Sequence, residues 1–276
     1  MTSKKVAYLG PPGTFTEQAA VFHNKSATLE PYPTIQSVAL AVATSITEEG
    51  VVPIENSLEG SVTATLDILI QEPRLFICRE IVIPIEHSLV TKPETNPKDI
   101  RTIFSHPQAI GQCRNFLEYF YPTVSLQASL STVSAVDDME NSGISAAAIS
   151  PSRIGEIRKV VVISEGIQDN PYNVTRFAVL SSSDHCPTGN DKTSICFSFP
   201  GDSPGLLYQI MGEFAQRNIN LAKVESRPTK QSLGEYIFLI DCEGHRQDSS
   251  LSKAMEATAA HTSMFRILGS YPKWAS

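Results

Sequence analysis

The sequence predicts an α/β protein in two parts. Up to residue 180, short Val/Ile-rich runs alternate with stretches whose apolar residues recur at helical spacing, the order of an open α/β sheet. Ser181 to Asn190 then interrupts that order with small and turn-forming residues, as a linker does. Beyond it strands and helices restart as βαββαβ, the ferredoxin-like order, which needs only about 80 residues.

Each element has a local reason. Val6 to Leu9 reads as a strand, closed by the turn Gly10-Pro11-Pro12-Gly13. Thr14 and Glu17 have capping-box spacing and open a helix to about His23. Ser37 to Ile46 has a helical pattern, and Val51 to Ile54 reads as a buried strand. Val62, Leu66, Leu69 and Ile70 put one apolar face on a helix over 61–70. Leu75 to Ile85, running on through Val90, makes one strand or two. Ile100 to Phe104 is a strand followed by a helix from Pro107 to Tyr119, since proline suits a first helical position. Val124 to Gln127, Ala146 to Ile149, Val160 to Ser164 and Val174 to Leu180 are further strands. Helices are expected from Ser131-Thr132 through Met139 and after Pro151. In the second part, strands are expected over 193–199, 221–225, 236–241 and 264–268, and helices over 204–217 and 249–260.

With 276 residues, 41% hydrophobic and 18% charged, the chain can bury a sizeable core in one or two domains. A formal charge of −7 argues against a nucleic-acid footprint. No apolar run is long enough to span a bilayer, and Val6 to Leu9 is too short for a signal-peptide core, so a cytoplasmic location is expected. Five widely spaced cysteines make neither a disulfide framework nor a zinc site, and His23, His87, His185, His245 and His261 have no ligand spacing. No metal or other cofactor is expected.

Three strand ends terminate in polar clusters, where open α/β sheets collect ligands. They are Glu55-Asn56-Ser57; Ser105-His106, continued by Gln112; and Asn173, Thr175 and Arg176 with Phe177 beside them. Arg176 can clamp a carboxylate through paired hydrogen bonds, and helix starts after Gly13, Ser57 and Ser105 offer N–H groups to an anion. The set suits a small polyanionic organic acid. It lacks the glycine spacing of a dinucleotide site and has no P-loop. Plainer readings stay open. Asn56 and Ser57 can cap a helix, His106 can do the same, Thr175 and Phe177 can be ordinary strand residues, and Arg176 can be an ion-pair partner.

Gly10-Pro11-Pro12-Gly13-Thr14-Phe15-Thr16, Val52-Pro53-Ile54-Glu55-Asn56-Ser57, Ser105-His106-Pro107-Gln108-Ala109 with Gln112-Cys113, and Asn173-Val174-Thr175-Arg176-Phe177 together resemble prephenate dehydratase, in that family's order and at about its spacing. Gly205-Leu206-Leu207, Asn218-Ile219-Asn220-Leu221 and Glu225-Ser226-Arg227-Pro228 resemble its ACT domain. The resemblance implies a two-lobed catalytic region over 1–183, like periplasmic binding proteins, and an ACT domain over 192–276. The lobes would be about 1–80 with 165–183, and 81–164, the chain crossing near 75–85 and returning near 165. It implies conversion of prephenate to phenylpyruvate in phenylalanine synthesis, by a stand-alone form, because the strand at Val6 leaves no room for a chorismate mutase domain before it.

On that resemblance Thr175 assists departure of the ring hydroxyl. Glu55 positions Asn56 or supplies the proton. Thr14, Asn56, Ser57, Ser105, Gln112 and Arg176 bind the diacid, and Phe177 walls its ring. Phenylalanine would act as feedback inhibitor at Gly205, Leu206, Leu207, Asn220, Glu225, Ser226, Arg227 and Pro228, between paired ACT domains of a homodimer, with a homotetramer built from such dimers. Glu225 and Arg227 have a plainer alternative as an ion pair. Leu206 stands where many relatives have alanine, which alters the effector pocket. Leu130 stands where some carry glutamate, so no carboxylate role falls there. Arogenate dehydratase, or a non-catalytic small-acid sensor, are the rival readings.

Overall fold

The computed structural model describes residues 3–201, 203–230 and 234–274. The chain opens with β1 (Lys5–Leu9), α1 (Phe15–His23), β2 (Thr28–Tyr32), α2 (Ile35–Ala43), β3 (Glu49–Asn56), the two-residue β4 (Gly60–Ser61), α3 (Thr63–Gln71) and β5 (Phe76–Pro84). It continues with β6 (His87–Thr91), a 3-10 turn, β7 (Thr102–Ser105), α4 (Pro107–Gln112), α5 (Arg114–Phe120), β8 (Ser125–Ala128), α6 (Ser134–Asn141), β9 (Ala146–Pro151), α7 (Ile154–Ile157), β10 (Val161–Ser164) and β11 (Val174–Ser181). The C-terminal part is β12 (Asp191–Ser198), α8 (Leu206–Ala215), β13 (Leu221–Pro228), β14 (Tyr236–Glu243), α9 (Ser249–Ala260) and β15 (Met264–Pro272).

Three sheets follow. The first has the order β2-β1-β3-β11-β5, with β4 on the edge of β3. β1 runs parallel to β2 and β3, whereas β11 comes back antiparallel to β3 and β5. The second has the order β10-β6-β9-β7-β8. The chain leaves the first sheet at Ile85–Glu86 and re-enters it at Val174, so two lobes are joined by two crossings with a cleft between them. The first crossing lies at the far end of the expected 75–85 span, because β5 pairs with β11 along its whole length, from Val174↔Pro84 to Ser181↔Phe76. The third sheet, β13-β14-β12-β15, is antiparallel and carries α8 and α9 on one face.

Its other face stacks on the first lobe. Cys196, Leu239, Leu268 and Tyr271 share a core with Val52, Ile54, Ala178 and Leu180, alongside residues of α2 and α3. The opposite face of the first sheet buries Tyr8, Val51, Phe177 and Val179 under α1. A sheet covered on both faces reads as near-continuous apolar runs, as Val51 to Ile54 and Ile81 to Ile83 do.

Two elements depart from the sequence pattern. β2 is an edge strand of sequence Thr-Leu-Glu-Pro-Tyr, whose proline is tolerated because only one neighbour needs hydrogen bonds. The helix expected over 107–119 breaks into α4 and α5 at Cys113, whose backbone leaves the helical region.

Candidate active site

The cleft holds about 320 Å³ and is walled by both lobes. Thr14, Phe15, Asn56, Thr175 and Phe177 come from the first, and His87, Gln112, Leu130 and Thr132 from the crossing and the second. Its size suits a small organic acid.

Asn56 organises the floor. It is the cross-strand partner of Thr175. Its Oδ1 accepts from the backbone N–H groups of Leu58 (2.9 Å) and Glu59 (3.1 Å). Backbone N–H groups only donate, so the side-chain orientation is settled, and Nδ2 must donate. It does so to Thr175 Oγ1 at 2.9 Å and to Asn173 Oδ1 at 2.8 Å. Asn173 Nδ2 in turn donates to Gln112 Oε1 at 3.1 Å, so the His87 Nε2 that lies 2.9 Å from the same oxygen carries a hydrogen. The polarity of the whole chain is thereby set from two backbone amides. Thr175 Oγ1 accepts a bond and, among the described residues, donates none, which leaves its hydrogen for the cleft.

His87 is a residue that spacing rules passed over. It is buried, its ring meets the edge of Phe15 at 6.0 Å, and its Nδ1 has no partner among the described residues. Burial pushes its pKa down, against the hydrogen bond with Gln112, and so favours the neutral imidazole. The signal available in the sequence was a lone histidine opening the short strand His87–Thr91.

The remaining expected residues divide. Thr14 lines the cleft while capping α1, where Oγ1 accepts from Glu17 N at 3.3 Å. Phe177 and Gln112 line it too. Ser105 does not. It is fully buried and donates to Ile149 O at 2.8 Å, tying β7 to β9. Ser57 lies outside as well, its Oγ accepting from Val174 N at 3.0 Å and holding the start of β11. His106 caps α4, accepting from Gln108 N at 3.3 Å, and also borders the cleft.

Glu55 and Arg176 point away from it. Side chains alternate along a strand, so Glu55 and Arg176 occupy the face opposite Asn56 and Thr175. There Arg176 Nη2 meets Glu55 Oε2 at 3.1 Å, and Nη1 meets Asp241 Oδ2 at 2.7 Å and Glu80 Oε2 at 3.3 Å. With three carboxylates around it, Arg176 is an ion-pair partner and not a substrate clamp. Glu55 is too far round the strand to supply a proton to the cleft. No lysine or arginine lines the cleft among the described residues, so an anion there would be held by amides, hydroxyls and the backbone at helix starts. Nor does any group of three His, Cys, Asp or Glu among the described residues stand close enough to hold a metal ion.

A second cavity of about 310 Å³ lies in the C-terminal module, between the start of α8 and β14. Gly205, Leu206 and Leu207 line it with Phe199, Ser203 and Tyr236. Gly205 has φ 89°, a left-handed conformation that glycine adopts without strain. Asn220, Glu225, Ser226, Arg227 and Pro228 do not border this cavity within one chain. Glu225 accepts from Ser61 Oγ, and Arg227 pairs with Asp67 at 3.0 Å, so both reach the first lobe of the same chain. Ser226 and Pro228 project from the other face of β13 and are exposed; Asn220, just before β13, is exposed too.

Residues 6–185 match the family model described as prephenate dehydratase, about two-thirds of the chain. The chain belongs to the prephenate dehydratase family. Residues 200–260 match the ACT domain model, a span that takes in α8, β13, β14 and α9. This prephenate dehydratase family member is 39% identical over 278 residues to a bifunctional chorismate mutase/prephenate dehydratase of Aquifex aeolicus, covering 98% of this chain and 74% of the relative. It is 35% identical over 272 residues to the prephenate dehydratase of Lactococcus lactis, covering 97% of each. The solved prephenate dehydratase of Arthrobacter aurescens in complex with L-Phe superposes with a TM-score of 0.90 at 36% identity, over 98% of this chain and 90% of that one. The neighbour's fold supports the two-lobed α/β architecture with a C-terminal ACT domain.

Proposed function

We propose that the cleft converts prephenate to phenylpyruvate, carbon dioxide and water. The supporting observation is the hydrogen-bond polarity at Thr175, whose oxygen is held by Asn56 and whose hydrogen is left for a ligand. In the reaction the bond between the ring and its carboxylate breaks, and that electron pair completes the aromatic ring. The ring C–O bond breaks, and its oxygen leaves as water after taking up one proton. Aromatisation supplies the driving force, so orientation and help to the departing oxygen are what the protein must add.

Thr175 donates a hydrogen bond to that oxygen as negative charge builds on it. Its own proton is held too tightly near neutral pH to be given up outright, so the proton consumed arrives from solvent through this contact. Asn56 keeps the hydroxyl aimed. Gln112, whose Oε1 is occupied by His87 and Asn173, presents its Nε2 to a carboxylate or the side-chain carbonyl. Thr132, beside the start of α6, and the backbone at the start of α1 receive the carboxylates, the Thr14 hydroxyl being engaged with Leu9 O at 3.2 Å. Phe15 and Phe177 wall the ring. The test follows phenylpyruvate absorbance on adding prephenate to wild type and Thr175→Val. An active variant removes Thr175 from the chemistry, and a silent wild type removes the reading.

The catalytic region is assigned to 1–183 and the regulatory domain to 192–276. L-phenylalanine, the ligand in the Arthrobacter relative, is assigned to the cavity at Gly205, Leu206 and Leu207. Two copies pair through their ACT domains and two pairs form a tetramer. β13 is an edge strand exposing Val224, and Tyr208 and Tyr236 are exposed on the same module, which favours such a contact. Asn220, Ser226 and Pro228 then join the effector site only across that pairing. Among the described residues no helix is long and apolar enough to cross a membrane, and a cytoplasmic enzyme fits that pathway. Calorimetry with L-phenylalanine and sedimentation check these assignments.

A further inference from the structure

The ion cluster on the far face of β3 and β11 sits directly behind the reacting pair. Asn56 and Thr175 are opposite each other, and Glu55 and Arg176 are the adjoining pair. One peptide bond on each strand separates the floor of the cleft from the cluster. Immediately after it the register shifts, between Arg176 and Phe177, and a bulge of this kind re-aims the side chains beside it.

The cluster is anchored from the ACT sheet. Asp241 on β14 holds Arg176 at 2.7 Å, and Lys223 on β13 holds Glu55 Oε1 at 3.1 Å. Asp241 is itself fixed by the Ser194 hydroxyl at 2.6 Å, which also lies 2.6 Å from the Tyr271 hydroxyl. Lys192 on β12 grips Glu80 at 2.9 Å, so three of the four ACT strands reach Arg176 or its partners through side chains. Arg176 Nε remains buried without a partner among the described residues, so the guanidinium is not locked by a full set of bonds.

We infer that Asp241 and Lys223 are positioning residues for the Asn56–Thr175 pair, acting through Arg176 and Glu55. A shift of the ACT sheet moves the Arg176 and Glu55 side chains, and the strand alternation carries that rotation to Thr175 and Asn56 on the cleft side. The active-site geometry is in this way conditional on how the regulatory domain is seated. The inference rests on the reading of Thr175 given above.

The test is steady-state kinetics on the full-length protein, without effector. A reacting group misplaced by about 1 Å can cost ~100-fold in rate, and a loosened one should cost roughly 10-fold. Asp241→Asn, which keeps shape and removes charge, is expected to lower kcat roughly 10-fold with KM within about 2-fold. Lys223→Met, at a less buried position, should act in the same direction and stands in should Asp241→Asn not fold. Adding Arg176→Lys to Asp241→Asn should lower kcat no further than the worse single change, because both act along one path. Arg246→Gln breaks an ion pair that ties the ACT domain to the linker, Arg246–Asp184 at 3.0 Å, and should leave kcat unchanged.

Folded Asp241→Asn and Lys223→Met proteins with wild-type kcat would overturn the inference. So would an equal loss in Arg246→Gln, which would mark a general weakening of the domain. An active Thr175→Val would defeat the active-site reading and, with it, the positioning role that rests on it. A dead Thr175→Val beside a normal Asp241→Asn would defeat only the positioning role.

Discussion

Asn56 and Thr175 face each other across β3 and β11, and the amide of the first donates to the hydroxyl of the second at 2.9 Å. The direction of that bond decides where the threonine hydrogen goes. Asn56→Asp keeps the size and reverses the direction, since a carboxylate accepts and Thr175 would turn its hydrogen back to the strand. A loss in kcat of about 100-fold or more is expected, in the range for losing one donor aimed at a developing anion. Thr175→Ser, which keeps the hydroxyl, should lose much less than Thr175→Val. Turnover of Asn56→Asp within a few-fold of wild type would show that the bond's direction is immaterial.

His87 makes the fold acid-sensitive. Burial lowers its pKa, so the unfolded chain binds a proton at a pH where the folded one does not. Stability is then complete above the ordinary histidine value of about 6.5, and is lost as the pH falls from there through the lowered folded value. Urea midpoints measured between pH 8 and 5 should decline below about 6.5 in wild type. The decline should be shallower in His87→Gln, which cannot charge. Parallel profiles for the two proteins would assign the acid sensitivity to another group.

Arg176 is expected to matter for stability as well as for rate. Arg176→Met leaves Glu80 and Asp241 buried with a cation missing, and breaking such a buried pair costs about 3–5 kcal/mol. Arg176→Lys keeps the charge and should cost less. Burial alone would raise the Asp241 carboxyl, but Arg176, Ser194 and Lys192 outweigh it and hold it below the usual range. The contribution of this cluster is therefore present above the ordinary aspartate value of about 3.9 and lost only as the pH falls below it. Thermal melts at pH 7 and pH 4 should both show the deficit of Arg176→Met.

Much of this was open to reading in the sequence. Apolar runs ending in polar clusters located β3, β7 and β11, and the βαββαβ order located the third sheet. The error over Arg176 and Glu55 came from treating adjacent residues as neighbours in one site. Alternation along a strand forbids it: if Thr175 and Phe177 face the cleft, Arg176 cannot, and the same holds for Glu55 beside Asn56. Ser105 illustrates a different limit. A serine at a strand end can turn to the cleft or bond beneath the sheet, and only the position of Ile149 O on β9 decides. The ACT sheet over Arg176 was not legible, because no local pattern reports a contact between residues 65 positions apart.

Gly269 tests how firmly the two parts are joined. It lies on β15 where the strand presses against β5, with φ 149°. A Cβ placed there would stand 2.2 Å from the backbone oxygen of Ile77 and 2.7 Å from its nitrogen. Both atoms belong to a paired strand of the first sheet, so neither can move aside without disturbing β11 next to it. Overpacking against side chains typically costs about 1–3 kcal/mol, and rigid backbone places this case at the upper end or beyond. The cheaper response to Gly269→Ala is for the ACT sheet to lift, since the linker before β12 lets it do so. Limited proteolysis of the full-length variant should then cut within residues 181–190 faster than in wild type, with kcat reduced because the Asp241–Arg176 contact is stretched. Unchanged cleavage with unchanged kcat would mean that the sheets accommodate a methyl group here and that their close approach at Ile77 is not what seats the regulatory domain.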